Sequence, residues 1–293
     1  MVAYLCVMNS SDILFIVNPK SGNNRKKKII SYLAERNFKC VYTEYAGHAE
    51  VLAREAAESV IVAVGGDGTV NEVARGIGDS GKTLGIVPCG SGDGLALCLG
   101  ISRNYKRAIN TILNGRVSYI DTGKINEKPF FSVCGVGFDA YVSSEFACAP
   151  KRGLVSYIRI GLKSLINYKP EKYHIEIDGK SIESDAMLIT IGNSNQWGNG
   201  AKIAPLASMS DGKLEVTILE KLGLLHIPYA AMLLMIGKIH KFRHVRTLSG
   251  EHIRIARNAE GFAHFDGDWF VTGKDVEVSI HKSSLKVITP GKE

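Results

Sequence analysis

Along roughly the first 120 residues, short solid apolar runs alternate with stretches whose apolar positions recur every three to four residues. Residues 13–18 (ILFIVN) form an apolar run ending in Asn-Pro, which reads as a strand feeding a loop. Helical spacing over 26–36 precedes a strand at 38–44, and an Ala/Glu-rich helix covers 49–58. A buried strand at 60–64 (VIVAV), a helix at 71–77 and a strand at 83–87 continue the series. Such alternation predicts βα units on a mostly parallel sheet, an α/β domain over residues 1–122.

Beyond about residue 121 the period shortens. Segments 130–134, 173–178, 186–192, 213–219, 253–256 and 275–280 alternate apolar and polar positions, with turn signals at Asp178-Gly179 and Asp211-Gly212. Helical spacing interrupts them at 154–168 and 222–235. The expectation is an antiparallel, β-sandwich-like domain over 123–285, a cleft between the halves, and a tail, 286–293, returning to the first domain.

Composition narrows the class. Of 293 residues, 45% are hydrophobic and 22% charged, as in a globular chain. The net charge of +7 favours acidic partners: nucleotides, anionic membrane surfaces or nucleic acid. Six scattered cysteines (Cys6, Cys40, Cys89, Cys98, Cys134, Cys148), without metal-finger spacing, read as reduced core thiols of a cytoplasmic protein. Residues 1–11 lack the pattern of a signal peptide. The most apolar stretch, 222–237, is interrupted by His226 and Pro228 and is too short to span a bilayer, so the chain reads as soluble.

The strongest chemical signal is Gly65-Gly66-Asp67-Gly68-Thr69-Val70-Asn71-Glu72, directly after the VIVAV strand. Glycines let backbone N–H groups approach an anion, and the helix N-terminus adds partial positive charge. A simple strand–helix turn needs one glycine, not three. A second glycine-rich turn, Pro88 to Ala96, follows the next strand, and Asn18-Pro19-Lys20-Ser21-Gly22 follows the first. Parallel strands place all three at one sheet edge, an arrangement suited to a triphosphate. Two other glycine patterns fail on context. Residues 76–83 (GIGDSGKT) match a P-loop but follow a helix and precede a strand, so they read as an α–β loop. Residues 135–140 (GVGFDA) match a dinucleotide fingerprint but lie among antiparallel segments.

The Asn-Pro-x-Ser-Gly loop, GGDGTVNEV, the Pro-x-Gly-Ser-Gly turn, GVGFDA, Ala204-Pro205 with Asp211-Gly212, and Phe265-Asp266-Gly267-Asp268 occur in the order seen in lipid kinases. The chain resembles that family of bacterial diacylglycerol kinases and sphingosine and ceramide kinases over residues 13–290. GGDGT alone is shared with NAD kinases. The resemblance implies ATP held by Asn18, Pro19, Lys20, Ser21, Gly22, Thr43, Gly65, Gly66, Asp67, Gly68, Thr69, Asn71, Glu72 and Ser91. It puts Asp67 near a Mg²⁺–phosphate centre and a structural Mg²⁺ on Asp211 with the carbonyls of Ser208 and Lys213. It places Asp139 and Asp93 on the substrate side, and Asp268 where the family has the glutamate proposed as base for the attacking hydroxyl. Asp268 and Asp67 are then the key carboxylates of an in-line phosphoryl transfer.

Two positions depart from the family pattern. Asp93 replaces an asparagine, and a carboxylate about 4 Å from a phosphate oxygen is repelled by roughly 4 kcal/mol. Asp268 replaces glutamate, one methylene shorter; a shift of about 1 Å can cost on the order of a hundredfold in rate. A weak or silent nucleotide- or lipid-binding relative and a kinase of a soluble acceptor are the competing readings. Lys238, His240, Lys241, Arg243, His244 and Arg246 follow the apolar stretch, giving either a peripheral membrane-docking segment or a core helix with a solvated loop. Arg25–Lys28, just after the first anion loop, reads as a solvated helix face in preference to a phosphate-facing cluster. Neither cluster has the interleaved aromatics of a nucleic-acid platform, and bacterial relatives are compatible with a homodimer.

Overall fold

A computed structural model describes residues 10–148 and 154–291; Cys6 and most of the N-terminal segment read above lie outside them. Two compact units result, one of residues up to 120 with residues from 283 onward, the other of residues 121–282.

The first unit holds β1 (Ile13–Val17), α1 (Asn23–Ala34), β2 (Lys39–Tyr42), α2 (His48–Glu55), β3 (Val60–Gly65), α3 (Asp67–Ile77), β4 (Thr83–Pro88), α4 (Gly94–Cys98) and α5 (Tyr105–Asn114). Its strands are parallel in the order β2-β1-β3-β4, with residues 286–287 parallel beside β4. Three strands are buried along their whole length, which is why they read as solid apolar runs. α3 begins at Asp67, four residues before the helical spacing in the sequence, because the glycine loop itself supplies its first turn. Gly76 lies inside α3, where a Cβ would meet the Glu50 carbonyl and, at 2.8 Å, the Ala53 Cβ. The first glycine of the P-loop-like string therefore lets α3 pack on α2, and the string runs from a helix into a strand, the reverse of a P-loop's order.

The chain leaves this unit through β5 (Arg116–Ile125). The second unit contains β6 (Lys128–Phe130), β7 (Val133–Gly137), α6 (Phe138–Ala147), α7 (Leu154–Asn167), β8 (Glu171–Ile177), β9 (Lys180–Gly192), β10 (Leu214–Glu220), α8 (Ile227–Met235) and β11 (Val245–Gly250). β12 (His252–Arg257), β13 (Gly261–Phe265), β14 (Asp268–Thr272) and β15 (Asp275–Thr289) complete it, the last running on into the first unit. Pairing here is antiparallel: β9 binds β8 with its first half and β7 and β10 with its second. The core is aliphatic, built on Ile175, Ile189, Ile191, Val216 and Ile255. The GVGFDA segment spans the end of β7 and the start of α6; it is a strand–helix junction, but on an antiparallel strand. Residues 222–226 do not extend α8, which starts with Pro in its first turn.

Asp178 and Gly179 have positive φ (46° and 81°) and close the β8–β9 hairpin, as a two-residue primed turn requires. The Asp178 carboxylate also accepts from the N–H groups of Glu251 and His252, 2.9–3.1 Å away. Those backbone donors hold its carboxyl below the ordinary value of 3.8. A carboxylate depressed in the folded state contributes stability above its unfolded pKa and loses it as pH falls through the folded one. Asp178→Asn, which tolerates the left-handed backbone but carries no charge, should therefore cost about 1 kcal/mol at pH 7. Urea melts of both proteins at descending pH should show the difference closing below 3.8; a constant gap would contradict the assignment.

Candidate active site

In the first unit, three loops emerge from the C-terminal ends of β1, β3 and β4 and touch one another. Asn18 anchors the first: its N–H donates to the Val64 carbonyl at 3.0 Å and its Nδ2 to Thr69 Oγ1 at 3.0 Å. Its Oδ1 accepts from Lys20 N–H at 2.9 Å, which shapes the Pro19–Gly22 turn. Gly22 has φ 81° and lies on the Cys89 carbonyl, where a Cβ would come within 2.8 Å. A Cβ on Gly90 would sit 2.6 Å from the Cα of Gly66. Gly22 and Gly90 are thus required by backbone contact between loops, independently of any ligand, whereas a Cβ on Gly68 would meet nothing within 4 Å. Thr43, at the end of β2, is buried and donates its N–H to Val17 O. Ser91 is exposed in the third loop, and Asn71 is buried on α3. Glu72 serves helix packing, since its Oε2 accepts from Ala49 N–H at 3.1 Å, in the first turn of α2.

Asp67 opens α3 and accepts the Gly94 N–H at 2.7 Å. Burial, followed by the neighbouring charge of Asp93, pushes its carboxyl above the usual range. Asp93 is itself buried, in the left-handed region at φ 49°, and accepts the Gly90 N–H at 2.8 Å. Its other oxygen lies 3.2 Å from Arg103 Nε. Burial still wins over the Gly90 and Arg103 contributions, and the Asp93 carboxyl is also raised. Arg103 donates from its terminal nitrogen to the carbonyls of Ser91 and Gly92, at 3.1 and 2.8 Å. The sequence reading missed Arg103, which precedes the Asn104 cap of α5 and carries no motif of its own. Arg25, Lys27 and Lys28 are exposed, although the Arg25 charge is felt at Asp93.

In the second unit, Asp139 stands in the first turn of α6, fully enclosed. One oxygen accepts Ala140 N–H; the other meets Thr190 Oγ1 at 2.7 Å and His264 Nε2 at 3.1 Å. The carboxylate thus faces protein donors rather than solvent. Asp268 opens β14 and is exposed, directly after the primed turn of Asp266 (φ 51°) and Gly267 (φ 89°). The Asp266 carboxylate accepts from three consecutive N–H groups, of Phe131, Ser132 and Val133, at 2.7–3.1 Å. Asp211 is exposed, and its Oδ1 accepts Lys213 N–H at 3.1 Å; the adjoining Gly212 N–H goes to buried Asp121 at 2.8 Å. A cavity of about 450 Å³ lies between α6, α7 and the β12–β13 region, lined by Tyr141, Tyr168 and Phe262, with Lys169, Glu171 and Arg257 at its polar side.

A parallel α/β unit with three interlocked glycine loops is followed by an antiparallel β unit, a two-part arrangement shared with phosphotransferases acting on an alcohol group. Residues 12–125 match the diacylglycerol kinase catalytic domain, and residues 132–289 the YegS C-terminal NAD kinase beta sandwich-like domain. The chain belongs to this diacylglycerol kinase and YegS-like lipid kinase family. It is 30% identical over 268 residues to a diacylglycerol kinase of Bacillus subtilis, covering 87% of this chain and 88% of the other. It is also 30% identical over 225 residues to an Enterobacter protein named Probable lipid kinase YegS-like, covering 72% and 75%. A diacylglycerol kinase structure from Bacillus anthracis superposes with a TM-score of 0.73 at 20% identity, covering 94% of this chain and 96% of that one, which establishes the shared fold.

Proposed function

We propose that this lipid kinase transfers the γ-phosphate of ATP to the hydroxyl of a membrane amphiphile, diacylglycerol first and a sphingoid base second. The observation that carries the reading is the contact of three glycine loops at one parallel-sheet edge, with the start of α3 among them. Backbone N–H groups of residues 66–69, the Ser21 and Ser91 hydroxyls and the Lys20 ammonium would bind the phosphates. Asn18 and Thr69 hydrogen-bond to each other, which would also shape that cradle.

Two places fit Mg²⁺ by their chemistry. The half-buried Asp67 and the buried Asp93 lie close enough that the Asp93 charge disfavours ionisation of Asp67, a conflict a cation would relieve. The exposed Asp211 turn, with the Ser208 and Lys213 carbonyls, offers only oxygen donors, as hard cations prefer. When bound, Mg²⁺ neutralises phosphate charge. Asp268 would orient the acceptor hydroxyl and take its proton; Asp139, held by Thr190 and His264, would stiffen the start of α6 beside the cavity. The paired Asp93 removes the main electrostatic objection to activity, which favours a working enzyme over a silent relative.

The test is transfer of labelled γ-phosphate from Mg·ATP onto mixed micelles of diacylglycerol, sphingosine, dihydrosphingosine, ceramide and monoacylglycerol. A labelled diacylglycerol product is expected. ATP bound without any lipid product would overturn the catalytic reading, and product only on a detergent-free, water-soluble acceptor would move the chain toward NAD kinase-like chemistry.

A further inference from the structure

The outer face of α8 is apolar and uncovered. The helix sequence, IPYAAMLLM, has no polar side chain except Tyr229. Its inner side is accounted for: Ala230 and Leu233 pack with Ile239, Phe242 and Val245 into a small satellite core. The opposite side carries Leu225 just before the helix, then Tyr229, Met232, Met235 and Ile236, between 48% and 94% exposed. Positions 225, 229, 232 and 236 recur at helical spacing, so they form one stripe. A helix apolar all round is normally buried on both sides, and a contiguous exposed patch of large apolar groups marks a contact surface.

The charges around the stripe indicate what covers it. From residue 221 to 250 the chain has five Lys or Arg, three His and no Asp or Glu. Lys221, Lys238, Lys241, Arg243 and Arg246 are exposed, and of these Arg246 is paired with Glu220. We propose that the α8 stripe and its cationic border form the surface on which this chain docks to an anionic lipid bilayer, α8 lying in the headgroup layer with its outer side chains in the acyl region. A second copy of the chain fits poorly, because a two-fold contact through this patch would set one cationic border against its twin. No helix among the described residues is long and apolar enough to cross a membrane, so the mode is interfacial. The inference rests on the lipid-kinase reading, which requires access to an acceptor held in a bilayer, but it concerns binding alone.

The experiment is flotation of the full chain, without nucleotide, on vesicles of phosphatidylcholine alone or with one third phosphatidylglycerol. The wild type should bind the anionic vesicles at least about tenfold more tightly. Met232→Glu with Ile236→Glu, both exposed and so compatible with folding, should weaken that binding by about tenfold or more. Lys238→Glu with Lys241→Glu should remove most of the preference for anionic lipid, at about fivefold per cation. Unchanged partition of the Met232/Ile236 variant overturns the proposal. So does a wild-type dimer that this variant converts to monomers while vesicle binding stays the same, which would make the face a self-interface. Phosphorylation of detergent-dispersed acceptor by the same variant reports separately on the kinase reading: no transfer by any form, with flotation as expected, sinks the kinase and leaves the docking surface standing.

Discussion

Changing Arg103 to alanine should weaken Mg·ATP binding about a hundredfold, and Asp93→Asn in the same chain should restore most of the loss. Alone, Asp93→Asn should alter affinity by less than about tenfold. The side chain of Asp93 is 1% exposed and that of Arg103 34%. Removing one member of a buried ion pair strands the other charge, at a cost of about 3–5 kcal/mol when both are enclosed. With Arg103 a third exposed the discounted stability cost is nearer 2–3 kcal/mol. The affinity loss would come from repulsion between the freed carboxylate and a phosphate about 4 Å away, up to roughly 4 kcal/mol, which allows about a hundredfold. The stranded charge would then lie in the loop that also carries Ser91, beside Asp67, where it opposes a triphosphate. Loss of the Arg103 bonds to the Ser91 and Gly92 carbonyls loosens the same loop. Asparagine at 93 keeps the left-handed backbone and an acceptor for Gly90 N–H but carries no charge to strand. Titration calorimetry on the two single variants and the double closes a mutant cycle. Strictly additive losses would refute the pairing argument.

This pair also shows where sequence reasoning stopped. Asp93 alone, set against a phosphate, implies repulsion of roughly 4 kcal/mol; the compensating guanidinium is ten residues away, in a motif-free stretch before α5. Local order was readable because it depends on neighbours. The solid runs of β1, β3 and β4 and the glycine loops after them state a parallel α/β unit directly. The primed turn at Asp178-Gly179 declares itself through two residues that tolerate positive φ. Short helices were harder. α4, five residues long after a glycine-rich loop, is too short for a clear period, and α3 hides its first turn inside a motif read as loop. What could not be read was the role of each motif carboxylate. Glu72 accepts the Ala49 N–H near the start of α2, and Asp139 meets a histidine 125 positions later; only the fold brings such partners together.

Within the Phe265–Asp268 turn, two carboxylates two residues apart should fail in opposite ways when removed. Asp266→Ala should destabilise the protein by about 4 kcal/mol. Hydrogen bonds to an ionised acceptor are worth about 1.5–3 kcal/mol each, and three N–H groups lose theirs at once, though not additively. Alanine must also hold φ near 51°, a conformation costing about 1–2 kcal/mol for an ordinary residue. Asp266→Asn, which tolerates that conformation and retains one acceptor oxygen, should lose about half as much. Asp268 is exposed at the first position of β14, so Asp268→Ala should leave stability within about 0.5 kcal/mol. Its kcat, however, should fall by about a hundred- to ten-thousandfold, the range for losing a positioned proton acceptor. Asp268→Glu, which keeps a carboxylate at the end of a side chain one methylene longer, should retain activity. Urea unfolding and initial rates on micellar diacylglycerol, measured on the same preparations, separate the two roles. If Asp268→Ala transfers phosphate at the wild-type rate, the proton acceptor lies elsewhere. If Asp266→Ala unfolds at the wild-type midpoint, the three-amide anchor contributes far less than its geometry implies. The turn thus puts an anchoring carboxylate and the proposed proton acceptor on the same tight bend, so that the rigidity supplied by Asp266 would fix where Asp268 can reach.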